Sequence, residues 1–213
     1  MTSSGEVVVG VLALQGAFKQ HVQLFEKIGV KATEIRTPEE LAEVDALVLP
    51  GGESTAIALV ARRTGLGQEL IGGFPGVVHR NFFGSQLGSF SAMLESPLNV
   101  SDGDAVSSEA AADTASSKQY RAVFIRAPVL IEYDDAVNVL AKVVPHKESQ
   151  EADAKVDAHE PIVVAASHGN ILMTSFHPEL TDDASWHQYF FNFATKVIKA
   201  APGGAAPASS SSA

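Results

Sequence analysis

A chain of 213 residues is long enough to bury a sizeable core, and its composition turns linker-like only near the C-terminus, so a single domain over residues 1–199 is expected. The formal charge of -10, from 25 acidic against 15 basic residues without a Lys/Arg cluster, argues against a nucleic-acid surface or a polybasic membrane contact and points to a small substrate. The lack of cysteine excludes disulfides, thiolate metal sites and a cysteine nucleophile, and it fits a reducing compartment, taken here as the cytosol.

Val7 to Leu14 is nearly continuous in apolar residues, as strands covered on both faces of a parallel sheet tend to be. It is too short to span a bilayer and lacks the flanks of a signal peptide, so a buried strand is expected. After Gly16, the spacing of Phe18, Val22, Phe25 and Ile28 predicts a helix over Ala17 to Ile28 with Gly29 at its C-terminus. Lys31 to Arg36 reads as a second strand, Pro38 opens a short helix, and Ala46 to Leu49 makes a third strand. This β-α-β-α-β order predicts an α/β fold with a doubly wound, mostly parallel sheet. The loop Pro50-Gly51-Gly52-Glu53-Ser54-Thr55 then leads into a helix over Ala56 to Arg63, at the sheet edge where open α/β folds bind ligands.

From Thr64 the rhythm breaks. Leu66 to Gly76 is glycine-rich, holds no strand-turn-helix unit, and runs directly into Val77-Val78-His79-Arg80-Asn81-Phe82-Phe83-Gly84. Later strands are expected at Arg121 to Ile125 and Val137 to Val144, as antiparallel additions, and at Ile162 to Ala166 and Ile171 to Ser175. Ser101 to Ser117 and Lys147 to Asp157 read as exposed loops. Ser185 to Lys199 is a final amphipathic helix with Trp186, Tyr189, Phe190, Phe193 and Val197 on its apolar stripe, and residues 200–213 read as a disordered tail.

Three features carry chemistry. Two glycines at 51 and 52 let the backbone of Gly51-Gly52-Glu53-Ser54 approach a carboxylate or an oxyanion at a helix N-terminus, although the same residues also suit a tight turn with Ser54 or Thr55 as N-cap. His177 and Glu179 sit two positions apart after an apolar strand, so an extended chain, stiffened by Pro178, would place both side chains on one side as an acid-base pair; a surface loop is the plain alternative. Arg80 and Arg126 offer guanidinium forks for an anion, or are simply solvated. The remaining histidines lack ligand spacing, so no metal and no cofactor is implied.

Taken together, Leu12-Ala13-Leu14-Gln15-Gly16, Leu49 to Thr55, His79-Arg80-Asn81-Phe82-Phe83-Gly84-Ser85-Gln86, Phe124-Ile125-Arg126-Ala127-Pro128 and Ser175 to Thr181 follow the order seen in one family. The chain resembles the glutaminase subunit of pyridoxal 5'-phosphate synthase, a class I-like, triad-type glutamine amidotransferase, and the wording of Asn81 to Gln86 is similar to plant members. The resemblance covers Val7 to Lys199 outside the low-complexity loops and the segment around 64–76. It implies a flavodoxin-like fold, hydrolysis of L-glutamine to glutamate and ammonia, and a synthase subunit as partner in vitamin B6 biosynthesis. Carried over by motif, His177 is the general base and Glu179 its orienting acid. Gly52, Glu53 and Ser54 hold glutamine and supply the oxyanion environment, and Arg80, Ile125 and Arg126 complete the pocket.

In one respect the chain departs from that pattern. The family carries its nucleophile on a strand-elbow-helix between the helix after Gly-Gly-Glu-Ser and the His-Arg-Asn motif, and the connection here is too short for such a unit, which needs on the order of thirty residues. The expectation is a glutaminase fold with one central strand-helix unit missing near 64–76 and with its own catalysis absent or severely impaired. The alternatives are a non-catalytic partner of the synthase subunit and a serine hydrolase using Ser54, whose Gly52-Glu53-Ser54-Thr55-Ala56 context only approximates a nucleophile elbow.

Overall fold

The structure, a computed structural model, describes residues 6–52, 54–66, 73–79, 89–99, 118–144 and 160–201. The chain divides into two compact units, Met1–Ile71 with Phe190–Ala213, and Gly72–Tyr189. Among the described residues no helix is long and apolar enough to cross a membrane.

The first unit is built on β1 (Val9–Leu12), whose side chains are all buried. β1 lies between β2 (Ala32–Ile35) and β3 (Ala46–Val48) and pairs parallel with both, Val9 facing Ala32 on one side and Ala46 on the other. Burying both faces requires helices above and below, and period-two alternation sorts the contacts. Val9 and Val11 pack with Phe25 of α1 (Phe18–Lys27) and with Phe190 and Phe191 of the C-terminal helix, whereas Leu12 packs with Ala61 and Ile57 of α3 (Ser54–Thr64) and with Leu41 of α2 (Pro38–Leu41). This unit is therefore an α/β/α layer structure.

Local signals set the helix ends. α1 stops in a Schellman motif: the Gly29 N–H donates to the Glu26 carbonyl (2.9 Å), the Val30 N–H donates to the Phe25 carbonyl (3.0 Å), and Gly29 takes φ 74°. α2 starts with a reciprocal cap in which Thr37 accepts from the Glu40 N–H and the Glu40 carboxylate accepts from the Thr37 N–H at 3.1 Å.

Antiparallel pairing governs the second unit, so the parallel sheet expected from the N-terminal rhythm ends with β3. One sheet runs β10 (Ile171–Thr174), β9 (Ile162–His168), β7 (Val129–Tyr133) and β4 (Gly76–His79), with β8 (Asn138–Val143) also pairing with β9. A separate ribbon joins β5 (Phe90–Glu95) to β6 (Gln119–Phe124). β4, β5 and β7 were not expected as strands. β4 is short and exposed at Val77 and Val78, and β7 buries Val129 and Leu130 in succession while exposing Ile131 and Tyr133, so their hydropathy does not alternate in step with burial. The unit's main core is aromatic: Tyr120, Phe124, Phe176 and Trp186 are buried together, with Phe90 stacked on Phe124 at 4.6 Å.

The final helix, α4 (Ser185–Ala200), ends one residue beyond its expected limit. On it, Trp186 and Tyr189 serve the aromatic core, and Phe190 meets Phe25 edge-on at 6.0 Å. The expected loops at Ser101 to Ser117 and Lys147 to Asp157 lie outside the described residues, as does the tail from 202 onward.

Candidate functional site

His177 is placed by the strand beside it and the core beneath it. Its N–H donates to the Val123 carbonyl of β6 at 2.9 Å, and the preceding Phe176 is buried against Trp186, Tyr120 and Phe124 with ring centroids 5.1, 5.7 and 5.8 Å away. The chain does not stay extended after it. His177 itself is extended (φ -97°, ψ 92°), but Pro178–Leu180 forms a single 3-10 turn closed by the Leu180 N–H donating to the His177 carbonyl at 3.3 Å. This corrects the expected role of Pro178, whose fixed φ suits the first position of a helical turn as well as it suits a strand.

The turn brings the two side chains together. His177 Nδ1 lies 2.9 Å from Glu179 Oε1, with the carboxylate side chain 2% exposed and the imidazole 24% exposed. An ionised carboxylate only accepts, so Nδ1 carries the hydrogen, which leaves Nε2 as the nitrogen that takes up a proton. Nε2 faces the Ile125 carbonyl oxygen at 3.4 Å, an acceptor available to Nε2–H once the ring is charged. The hydrogen bond to Glu179 raises the His177 pKa most strongly; burial opposes this, and the Glu179 charge and the Ile125 carbonyl reinforce it. The arrangement is that of a general base whose conjugate acid is stabilised where it forms.

Ile125 and Arg126 follow β6 directly. Arg126 is the one non-glycine among the described residues with positive φ (47°), a conformation costing a side-chain-bearing residue about 1–2 kcal/mol, and it turns the chain immediately after the Ile125 carbonyl. The Arg126 side chain is exposed. Thus His177, Glu179 and the Ile125 carbonyl converge at one place, with Arg126 next in the chain.

Gly52 and Ser54 belong to the other unit. There the loop after β3 is packed against the loop after β1: a Cβ on Gly16 (φ 92°) would collide with the Gly51 carbonyl oxygen, and one on Gly52 would stand 2.5 Å from Gln15 Oε1. Gln15 is thus a polar side chain laid over the glycine loop, a position the motif Leu14-Gln15-Gly16 marked without indicating its role. α3 begins at Ser54, so the glycine loop feeds a helix N-terminus. Glu53 and Arg80, together with the Ser54 side chain, lie outside the described residues.

The model of the SNO glutamine amidotransferase family matches residues 11–75 and 72–196. The chain belongs to the SNO glutamine amidotransferase family. Among its relatives, the probable pyridoxal 5'-phosphate synthase subunit PDX2 of Arabidopsis thaliana is 36% identical over 237 aligned positions, covering 92% of this chain and 89% of the relative. The pyridoxal 5'-phosphate synthase subunit PdxT of Listeria monocytogenes serotype 4a (strain HCC23) is 34% identical, covering 85% of this chain and 96% of the relative. A crystal structure of a glutamine amidotransferase superposes with a TM-score of 0.66 at 30% identity, over 88% of this SNO-family chain and 98% of the other. The family resemblance read from the motifs is therefore correct.

Proposed function

We propose that this SNO-family chain is of the glutaminase-subunit type of a cytosolic pyridoxal 5'-phosphate synthase, the type that hydrolyses L-glutamine to glutamate and delivers ammonia to a synthase subunit. The observation that carries the reading is the half-buried His177 held 2.9 Å from the buried Glu179 in a chain matched over most of its length by a glutamine amidotransferase family. His177 Nε2 is the base toward a nucleophile, and Glu179 holds its tautomer. Gly52, Glu53 and Ser54 bind glutamine and the oxyanion, Arg80, Ile125 and Arg126 complete the pocket, and residues 1–199 act as one functional domain.

This chain's own turnover is abolished or nearly so. It has no cysteine, and losing the nucleophile of an acyl-transfer triad costs on the order of 10⁶ in kcat. The lost element is a central strand-helix unit of a flavodoxin-like sheet, near 64–76. Three observations support that reading. The Arabidopsis alignment of 237 positions exceeds this chain's 213 residues, so the relative has segments that this chain lacks. The family match falls in two stretches meeting at 72–75. Among the described residues β3 pairs only with β1, leaving its other edge open.

Ammonia release from glutamine, measured with the synthase subunit present, is the test, and the expected outcome is no turnover above background. Turnover comparable with that of a cysteine-containing relative would sink the reading of lost catalysis. The absent cysteine also favours a second reading, a non-catalytic partner that still docks on the synthase subunit. Calorimetric titration with the synthase subunit tests the docking that both readings require, because a chain that neither turns over nor binds fits neither.

A further inference from the structure

Strand β6 and the residue that follows it meet the His177 turn at three heights. The Val123 carbonyl accepts the His177 N–H at 2.9 Å, the Ile125 carbonyl faces His177 Nε2 at 3.4 Å, and the Tyr120 hydroxyl lies 3.4 Å from the Pro178 carbonyl oxygen and 3.3 Å from Thr181 Oγ1. Thr181 Oγ1 is itself 3.5 Å from the same Pro178 oxygen. The roles proposed above use the first two contacts and leave Tyr120 and Thr181 without a function.

Packing does not explain the Tyr120 hydroxyl. The Tyr120 residue is fully buried, between Phe176 and Trp186 at 5.7 and 6.3 Å, and a phenylalanine ring would fill the same space. The hydroxyl instead reaches the carbonyl of a single-turn helix, which has no following turn to supply an N–H. Burial first of all, with Asp183 and Glu179 adding repulsion against the opposing hydrogen bond with Thr181, pushes the phenol up to about 12, so it keeps its hydrogen and remains a donor at physiological pH. Ring packing fixes where the hydroxyl sits, and the hydroxyl fixes the turn.

We infer that Tyr120 and Thr181 are positioning residues: their hydroxyls clamp the Pro178 carbonyl and so hold the Glu179 carboxylate in register with His177 Nδ1. The inference deepens the proposed function and rests on His177 being the base of that site. The charged and titratable groups facing the turn are Glu179 on it, Asp182 and Asp183 just after it, and Arg121 on β6, all of which line one cleft with Thr181. None of them is altered by the variants below.

The test is the NMR titration of the His177 imidazole in the full chain, with its signal assigned from His177→Gln. In Tyr120→Phe and Thr181→Val the midpoint should fall toward the ordinary histidine value by about half a pH unit or more, because the Glu179 contact slackens. Thr181→Ser, which keeps the hydroxyl, should titrate as the parent does. Tyr120→Phe with the parent midpoint, or a serine variant that falls as far as the valine one, overturns the clamp. If Tyr120→Phe fails to fold, the half-buried Thr181 pair carries the test alone. The measurement needs neither glutamine nor a synthase subunit, so failure of the clamp and failure of the glutaminase reading are separate results.

Discussion

Two atoms, His177 Nδ1 and Glu179 Oε1, are brought to 2.9 Å of each other through a turn and not through an extended strand. The pair has a thermodynamic signature. The folded pKa of His177 is raised above its unfolded value near about 6.5, so the protonated ring contributes stability that is complete below that value and is lost as pH rises through the elevated folded pKa. Glu179→Gln should therefore destabilise the protein by about 1–2 kcal/mol more on the acid side of that window than on the alkaline side. Urea unfolding at one pH on each side measures this. Equal losses at both would mean that the charge on Glu179 contributes nothing.

At the scale of elements, glycines with the same backbone sign carry different burdens. Gly29 closes α1 at φ 74° with nothing within 4 Å of a built Cβ, so Gly29→Ala meets only the left-handed backbone penalty of about 1–2 kcal/mol. Gly16 has the same kind of φ, but its Cβ would strike the Gly51 carbonyl, so Gly16→Ala should cost clearly more. Denaturant midpoints compare the two, and similar shifts would show that the loops after β1 and β3 part without cost. Strong local chemistry made these elements legible: the continuous apolar run of β1, the helical spacing of α1 ending at Gly29, and Pro38 for α2. β5 and β7 carry no such punctuation. They form because β6 and β9 need partners, a demand arising outside their own residues.

For the whole molecule, the proposed loss of a strand-helix unit ties the absent cysteine to the β3 edge that is unpaired among the described residues. Inserting the corresponding segment of the Arabidopsis relative between Thr64 and Gly76 should restore glutamine hydrolysis in the presence of a synthase subunit. Ammonia release measures this, and an inert but cooperatively folded product would show that more than the nucleophile unit has been lost.

The sequence by itself determined the family, the β-α-β-α-β start of a parallel sheet, the lack of a thiol, and the identity of His177 and Glu179 as partners. These follow from residue type and spacing, which act over a few positions along the chain. Only the tertiary structure decided that a 3-10 turn joins the pair, that the Ile125 carbonyl faces Nε2, that Gln15 lies over Gly52, and that Tyr120 reaches the turn from β6. Tyr120 and Pro178 are 58 positions apart, and a contact over that distance is set by how strands pack, for which local sequence carries no period and no spacing.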